Sequence, residues 1–231
     1  MKKWIPKIWK VRLKLGIRSL KDYKINFAKP SEGKINFAFK VGTTQEIKKG
    51  NYFENKVHNF KIAKERIEKV VVYPNQVFSF WKIIGNPTEK NKFKKGRNIV
   101  NGTISEEVGG GLCQISTLIY VTALKSNFEI IERYNHSVDI YSEEDRFTPL
   151  GSDATVVYGY KDLRIKNNKS FPICFSFKID DKSIICTVGS EKQIIESELN
   201  FIRYENQVQK RIRVVTIIDN SEKYESNYAI Q

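Results

Sequence analysis

The sequence predicts an α+β fold in which amphipathic helices pack on a mainly antiparallel sheet. Two observations support this. Apolar residues recur with helical spacing in the middle of the chain, at about 55–69 and 112–126, whereas strand-like runs fill most of the part that follows. Such segregation of helices and strands favours α+β over a doubly wound parallel sheet. The 231 residues, 40% hydrophobic and 29% charged, suffice for one main domain with appendages and exclude a disordered chain.

Residues 1–30 are predicted to form a basic N-terminal arm. They contain ten Lys or Arg and one Asp, so +9 of the net charge of +14 lies there and +5 in the rest of the chain. The apolar positions fit a helical face, although residues 9–17 also alternate as in a strand; we favour the helix. Such an arm can pack on its own domain or contact an anionic membrane peripherally. The weak charge of the remainder disfavours nucleic acid as a partner.

The cysteine and hydropathy patterns exclude several classes of protein. Three Cys at irregular spacing and two His do not fit a disulfide framework or a paired Cys/His zinc site, and we expect no metal and no cofactor. No apolar run of about 18 residues occurs, and basic residues interrupt the N-terminal segment where a secretory signal would be apolar. We therefore expect a cytoplasmic protein or one peripheral to the inner face of the membrane.

The next element is an amphipathic helix over about 55–69. Val57, Phe60, Ala63 and Ile67 recur every three to four residues, which predicts one apolar face that covers a sheet. The chain then continues with a strand, a turn, a second apolar run and a Lys-rich exposed loop: residues 70–73, 74–76, 77–81 and 89–97.

Three consecutive glycines, Gly109, Gly110 and Gly111, precede a second helix that runs to about 126. The β-rich runs after this helix are 128–134, 138–141, 154–158, 163–166, 171–179 and 184–188. The last two runs, which residues 180–182 connect, are predicted to form a hairpin. One more strand is expected at 207–218, before a polar tail. We divide the chain into an arm and lead-in, a central domain and a C-terminal segment: residues 1–54, 55–190 and 191–231.

Cys113 is the candidate nucleophile because the pattern places it at the start of the second helix. A helix N-terminus stabilises a thiolate through free N–H groups and the positive end of the helix dipole. The three preceding glycines permit close approach of a substrate, so that their amides and that of Cys113 can form an oxyanion hole. We add the flanking Gln114 and Ser137 as candidate substrate-binding residues.

His136, at the end of a predicted strand, is the better candidate base of the two histidines. A helix-borne Cys followed by a strand-borne His is the order of papain-like hydrolases. Asp139, Asp153 and Asp162 are candidates to orient the imidazole, with a slight preference for Asp153. The spacing alone is also consistent with purely structural roles, in which Cys113 is a small buried residue and His136 only completes a turn.

The three remaining residues of these types are expected to be structural. His58 lies at the edge of the first helix's apolar face, and Cys174 and Cys186 lie on the two facing strands of the predicted hairpin. Neither cysteine has a glycine turn or a basic neighbour beside it.

Several blocks in this order resemble the VanW family, over about residues 55–190. They are HNFKIA, VFSFW, GNPT, VGGGLCQIST, ERYNHS and GSDAT, at 58–63, 77–81, 85–88, 108–117, 132–137 and 151–155. The resemblance implies a link to glycopeptide resistance, and larger exported relatives are associated with L,D-transpeptidation of peptidoglycan through the motif cysteine. Carried over, that cysteine is Cys113, and His136 matches the histidine of the His-Ser block.

Two functional hypotheses follow. The first is a cysteine-dependent acyl-transfer enzyme, of transpeptidase or peptidase type, that acts on peptidoglycan stem peptides. The second is a non-catalytic accessory protein that binds a cell-wall precursor or glycopeptide at the membrane surface. The sequence leaves the oligomeric state open.

Overall fold

The computed structural model describes residues 6–31, 37–100, 103–139 and 148–230, and it confirms an α+β fold with mainly antiparallel sheets. The helices in these ranges are α1 (Lys7–Lys21), α2 (Phe53–Ile67), α3 (Phe80–Ile84) and α4 (Leu112–Lys125), with a 3-10 turn at Glu89–Asn91. The strands are β1 (Phe39–Glu46), β2 (Val71–Val72), β3 (Val77–Ser79), β4 (Lys95–Val100), β5 (Thr103–Val108), β6 (Glu129–Glu132), β7 (Val138–Asp139), β8 (Arg164–Lys166), β9 (Ile173–Ile179), β10 (Ser183–Ser190), β11 (Leu199–Asn206), β12 (Arg211–Ile218) and β13 (Ser221–Ile230).

The strands of the described ranges form three sheets and a hairpin. The central sheet has the order β1-β10-β9-β2, and every pair in it is antiparallel. A second sheet, β11-β12-β13-β7, is antiparallel except for the parallel pair of β13 and β7. The third sheet is β3-β8-β6, and β4 pairs with β5 as a separate hairpin.

The main core lies between α4 and the central sheet. Most residues of α4 are buried, and the side chains of Ile115, Leu118 and Ile119 are fully so. The facing strands alternate buried and partly exposed positions, with Phe175 on β9 and Cys186 on β10 turned inward. This packing fixes the start of α4, and therefore Cys113, on a rigid element.

The structure confirms the helix at 55–69, the helix that ends near 126 and the hairpin at 180–182. It also contains strands within the predicted runs 70–73, 128–134 and 163–166, namely β2, β6 and β8. The run at 77–81 is a short strand followed by α3, because Ser79 Oγ accepts a hydrogen bond from the Lys82 amide and caps that helix. Part of the Lys-rich segment at 89–97 belongs to the β4–β5 hairpin, which the sequence did not predict.

The run at 154–158 is not a strand. At its start, side chains of α4 occupy the backbone groups, because the Ala154 amide donates to Thr117 Oγ1 and the Ala154 carbonyl accepts from Ser116 Oγ. The next amides, of Thr155 and Val157, donate to the Tyr134 and Lys161 carbonyls instead of to one neighbouring strand. The C-terminal segment also differs from the prediction: β11, β12 and β13 replace one strand and a polar tail. Residues 140 and 141 of the predicted 138–141 strand lie outside the described residues.

The arm contains the predicted helix, α1. Val11 and Leu15 lie against Gly159, and the Arg18 guanidinium contacts both carboxylate oxygens of Glu132 at 2.8 and 2.6 Å. In the described part of the chain, no helix combines the length and the apolar character needed to cross a membrane.

Candidate functional site

Cys113 occupies the second position of α4, directly after a glycine turn. Gly111 is the N-cap residue, with φ of 94°. The Cys113 thiol is partly buried, and its Sγ lies 3.7 Å from Thr155 Oγ1 and 3.8 Å from the Val156 carbonyl oxygen. It is also within hydrogen-bonding reach of the His136 imidazole. The structure therefore brings together the two residues that the sequence suggested as nucleophile and base.

Asp153 fixes the orientation of His136. Asp153 Oδ2 lies 2.6 Å from His136 Nδ1 and accepts the His136 backbone amide at 2.7 Å. With Nδ1 held by this carboxylate, the other ring nitrogen is the one left for Cys113. The Asn135 side-chain amide donates to the His136 carbonyl at 2.7 Å, which fixes the backbone on the other side. Hydrogen bonds thus connect the Cys113 thiol, the His136 imidazole and the Asp153 carboxylate in that order.

Two further residues hold Asp153 in place. Arg133 Nη2 donates to Asp153 Oδ1 at 3.1 Å, and Arg133 Nε donates to the Asp153 carbonyl at 2.7 Å. The same guanidinium donates to the Gly151 carbonyl and to Ser226 Oγ on β13. Tyr228, also on β13, donates its hydroxyl to Asp153 Oδ1 and accepts the Gly151 amide at 3.0 Å. Both carboxylate oxygens of Asp153 are therefore engaged.

Each of these three groups shifts the pKa of its neighbour toward the charged form. Burial raises the pKa of the Cys113 thiol, but hydrogen bonding to His136 and the imidazole's charge outweigh burial, and the net pKa is lowered. Burial lowers the pKa of His136, yet the hydrogen bonds to Asp153 and Cys113 raise it to about 10. The pKa of Asp153 falls to about 2, because His136 and Arg133 together outweigh its burial. This electrostatic environment favours the thiolate–imidazolium pair over the neutral thiol and imidazole.

The glycine turn is closely packed and its amides are partly used. A side chain at Gly110 would overlap the Gly96 backbone of β4, and Gly109 has φ of 91°. The Gly109 amide donates to the Lys94 carbonyl and the Gly110 amide to the Glu107 carbonyl. These two amides are thus already bonded, and the Cys113 amide has no backbone acceptor in the described ranges. An oxyanion hole built on the Cys113 amide stays a prediction.

A positive charge lies beside this turn. The Lys56 side chain, on α2, packs against Gly111, since a Cβ added to Gly111 would lie 2.9 Å from Lys56 Cγ. Burial and the nearby charge of Arg97 lower the pKa of Lys56 to about 8. Lys56 therefore brings a basic side chain next to the glycine turn that precedes Cys113.

The other candidate residues have contacts that tie elements together. The Gln114 side-chain amide donates to the Glu46 carbonyl at 2.9 Å and joins α4 to β1. Ser137 is exposed, and its carbonyl accepts the Ala229 amide. Asp162 is buried and accepts from Ser79 Oγ and from the Trp81 amide, so it is part of a separate polar cluster.

His58, Cys174 and Asp139 lie in three different elements. His58 Nε2 lies 2.8 Å from the Lys92 carbonyl oxygen. Cys174 on β9 pairs with Gly189, whereas the fully buried Cys186 on β10 pairs with Phe177, so the two cysteines are not neighbours across the hairpin. Asp139 is in β7, paired with Ile230 of β13. Among the described residues, no group of three or more His, Cys, Asp or Glu side chains could hold a metal ion.

Sequence reasoning missed three contributors to the site: Arg133, Thr155 and Tyr228. Arg133 and Thr155 lie in the same sequence blocks as His136 and Asp153, at 132–137 and 151–155. No local pattern assigns a role to either of them. Tyr228 comes from the segment read as a polar tail. Only the pairing of β13 with β7, which carries Tyr228 past the His136 loop, could have revealed it.

Comparison with known proteins identifies the group to which this architecture belongs. Residues 55–188 match the family model described as "VanW like protein". The chain is 32% identical over 142 residues to "Vancomycin B-type resistance protein VanW" of Enterococcus faecalis, covering 62% of this chain and 52% of that protein. It is 34% identical over 149 residues to "Uncharacterized protein YoaR" of Bacillus subtilis, covering 64% of this chain and 47% of that protein. The chain thus spans about half the length of these curated relatives. No solved structure matches it.

Proposed function

The chain belongs to the VanW family, and from the geometry around Cys113 we propose that it is a cysteine-dependent acyl-transfer enzyme acting on the stem peptides of peptidoglycan. One observation carries this proposal: the Cys113 thiol at the start of α4 is hydrogen-bonded to His136, whose other ring nitrogen is held by Asp153. This is the arrangement that a nucleophile, a base and an orienting group require. The name of one relative, a vancomycin resistance protein, supports a cell-wall substrate.

In the proposed reaction, the Cys113 thiolate attacks the carbonyl carbon of a peptide bond. A C–S bond forms, the C–N bond breaks, and the His136 imidazolium gives its proton to the departing amine. An acceptor then attacks the thioester while His136 takes a proton from it, and Cys113 leaves as the thiolate. An amine acceptor yields a new peptide bond, and water yields hydrolysis. The Cys113 amide, unbonded to any backbone carbonyl in the described ranges, is positioned at the nucleophile to stabilise the oxyanion.

The basic side chain of Lys56 beside the glycine turn agrees with a substrate that carries carboxylates, as stem peptides do. Coulombic attraction is stronger in such a partly buried location than in open water. The same feature suits a binding protein, so chemistry at Cys113 is what must be tested.

The test is acylation of the protein by a synthetic peptidoglycan tetrapeptide, followed by intact-mass spectrometry. We expect an adduct with the mass of the acyl fragment, located on Cys113, that a nucleophilic amine discharges. Cys113→Ala should abolish the adduct, and the matched variant Cys174→Ala should retain it. An adduct that persists in Cys113→Ala would refute the proposal. Saturable binding of the peptide by both variants, without any adduct, would instead support the non-catalytic accessory protein.

A further inference from the structure

Helix α1 has two opposite apolar faces, of which one is packed on the domain. Val11 and Leu15 lie against Gly159, and Arg18 follows on the same face with its guanidinium on Glu132. Residues at these spacings share one side of a helix. This packed face accounts for the way in which α1 is fixed, and it leaves the other apolar residues of α1 unexplained.

The opposite face of α1 is exposed and apolar. Trp9, Leu13 and Leu20 lie on the side away from Val11 and Leu15, and they are 60, 65 and 77% exposed. The other large apolar side chains exposed on α1 are Ile8 and Ile17. Contiguous exposed apolar patches of this kind mark sites of interaction on soluble surfaces.

Basic side chains border this apolar face. Lys10, Lys14 and Lys21 follow one flank of the helix and Arg12 the other, and all four are exposed. The helix contains no acidic residue. The first carboxylate after it, Asp22, is buried and occupied by Arg164 at 2.7 and 2.8 Å. The exposed side of α1 therefore presents apolar and positive groups and no carboxylate.

We propose that this face of α1 docks on an anionic lipid surface, with the helix lying in the plane of the membrane. Trp and Leu side chains enter the boundary of the acyl region, while the flanking Lys and Arg contact anionic headgroups, as in interfacial amphipathic helices. Charge complementarity selects this occupant over a second copy of the chain. Pairing of two such faces would bring their basic flanks together, and like charges repel.

The docked helix would hold the Cys113 site at a fixed place relative to the membrane. Glu132, which anchors Arg18, immediately precedes Arg133, and Arg133 binds Asp153. Gly159, which receives Val11, follows the Thr155–Val156 segment in contact with Cys113. Two short connections thus join the membrane-facing helix to the site.

The test is cosedimentation of the full-length protein with vesicles of phosphatidylcholine alone or of phosphatidylcholine mixed with phosphatidylglycerol. We expect binding to the anionic vesicles that weakens as salt is raised, and little binding to the neutral ones. Leu13→Gln combined with Leu20→Gln should weaken binding at least about tenfold, because two apolar side chains are withdrawn from the membrane. Lys10→Gln and Lys14→Gln should each weaken it about fivefold.

The matched control is Ile195→Gln combined with Val208→Gln, which alters two exposed apolar residues, 87 and 96% exposed, outside α1. This control should bind the vesicles as the unmodified protein does. Equal loss in the control, or binding that ignores both lipid charge and salt, would overturn the proposal. So would a concentration-dependent dimer, seen by analytical ultracentrifugation, that the leucine variant dissociates and that binds no vesicles.

Discussion

At the scale of single residues, the three cysteines differ only in their surroundings. Burial raises the pKa of Cys174, and it raises that of Cys186 to about 12. Cys113 is partly buried as well, but its hydrogen bond to His136 and the charge of the imidazole outweigh burial and lower the pKa of the thiol. Because the thiolate is the reactive form, the structure predicts one reactive cysteine and two inert ones.

Alkylation by iodoacetamide across pH checks this prediction. A group with a lowered pKa is ionised at lower pH, so labelling of Cys113 should reach half its maximal rate below the value of about 8.5 for a free thiol. The His136 imidazolium that sustains the thiolate is lost only as pH rises through about 10. In His136→Ala, burial raises the pKa of Cys113 without an opposing charge. We therefore expect half-maximal labelling at a higher pH than in the unmodified protein.

His58→Ala is the matched control, because His58 contacts only the Lys92 carbonyl among the hydrogen bonds described for it. Mass spectrometry locates the label. Labelling of Cys113 no faster than that of Cys174, or a profile that His136→Ala leaves unchanged, would assign Cys113 a purely structural role.

At the scale of elements, the glycine turn joins the β4–β5 hairpin to α4. Gly110→Ala should destabilise the protein by about 1–3 kcal/mol, because its methyl group overlaps the Gly96 backbone. Gly16→Ala should stabilise it by about 1 kcal/mol, since Gly16 is in an exposed helix interior with nothing within 4 Å of an added Cβ. Urea unfolding monitored by circular dichroism measures both. Equal effects of the two changes would contradict the packing of this turn.

Strand β13 contributes Tyr228 to the site from outside the matched region, residues 55–188. Tyr228→Phe leaves the Gly151 amide without its acceptor and removes one of the two donors to Asp153 Oδ1, and it should lower stability by about 1–3 kcal/mol. Because Asp153 then holds His136 less firmly, the alkylation profile of Cys113 should also shift toward higher pH. Tyr204→Phe, on the exposed part of β11, should change neither. A loss of stability without the shift would make Tyr228 structural only.

Local patterns predicted the elements in which local and tertiary preferences agree. The helical spacing of Phe60, Ala63 and Ile67 and the turn at 180–182 specify α2 and the β9–β10 hairpin without distant partners. Residues 154–158 look like a strand, but hydrogen bonds to α4 override their β propensity. Proximity of Cys113, His136 and Asp153 depends on how α4 packs beside the 151–156 segment. Spacing could therefore propose the triad's members but could not show their contact.

At the scale of the whole molecule, one polar cluster anchors the arm and another supports the site. Arg164 is buried and binds Asp22 at the end of α1, Asp162 at 3.1 Å and Glu132 at 3.2 Å. Arg18 of α1 completes this cluster through Glu132. The site has its own cluster around Asp153. The two clusters are adjacent along the chain at 132 and 133, yet no hydrogen bond between them occurs in the described residues.

This separation makes the anchoring of α1 testable without touching the site. Asp22→Asn removes a negative partner from buried Arg164, and breaking one side of a buried pair costs up to about 3–5 kcal/mol. We expect faster limited proteolysis between α1 and β1 and a lower Tm, with Cys113 alkylation unchanged below that Tm. Asp181→Asn, at an exposed turn, should alter none of these. If Asp22→Asn also slowed alkylation in the folded protein, the two clusters would be coupled through Glu132, and docking of α1 would regulate the reactivity of Cys113.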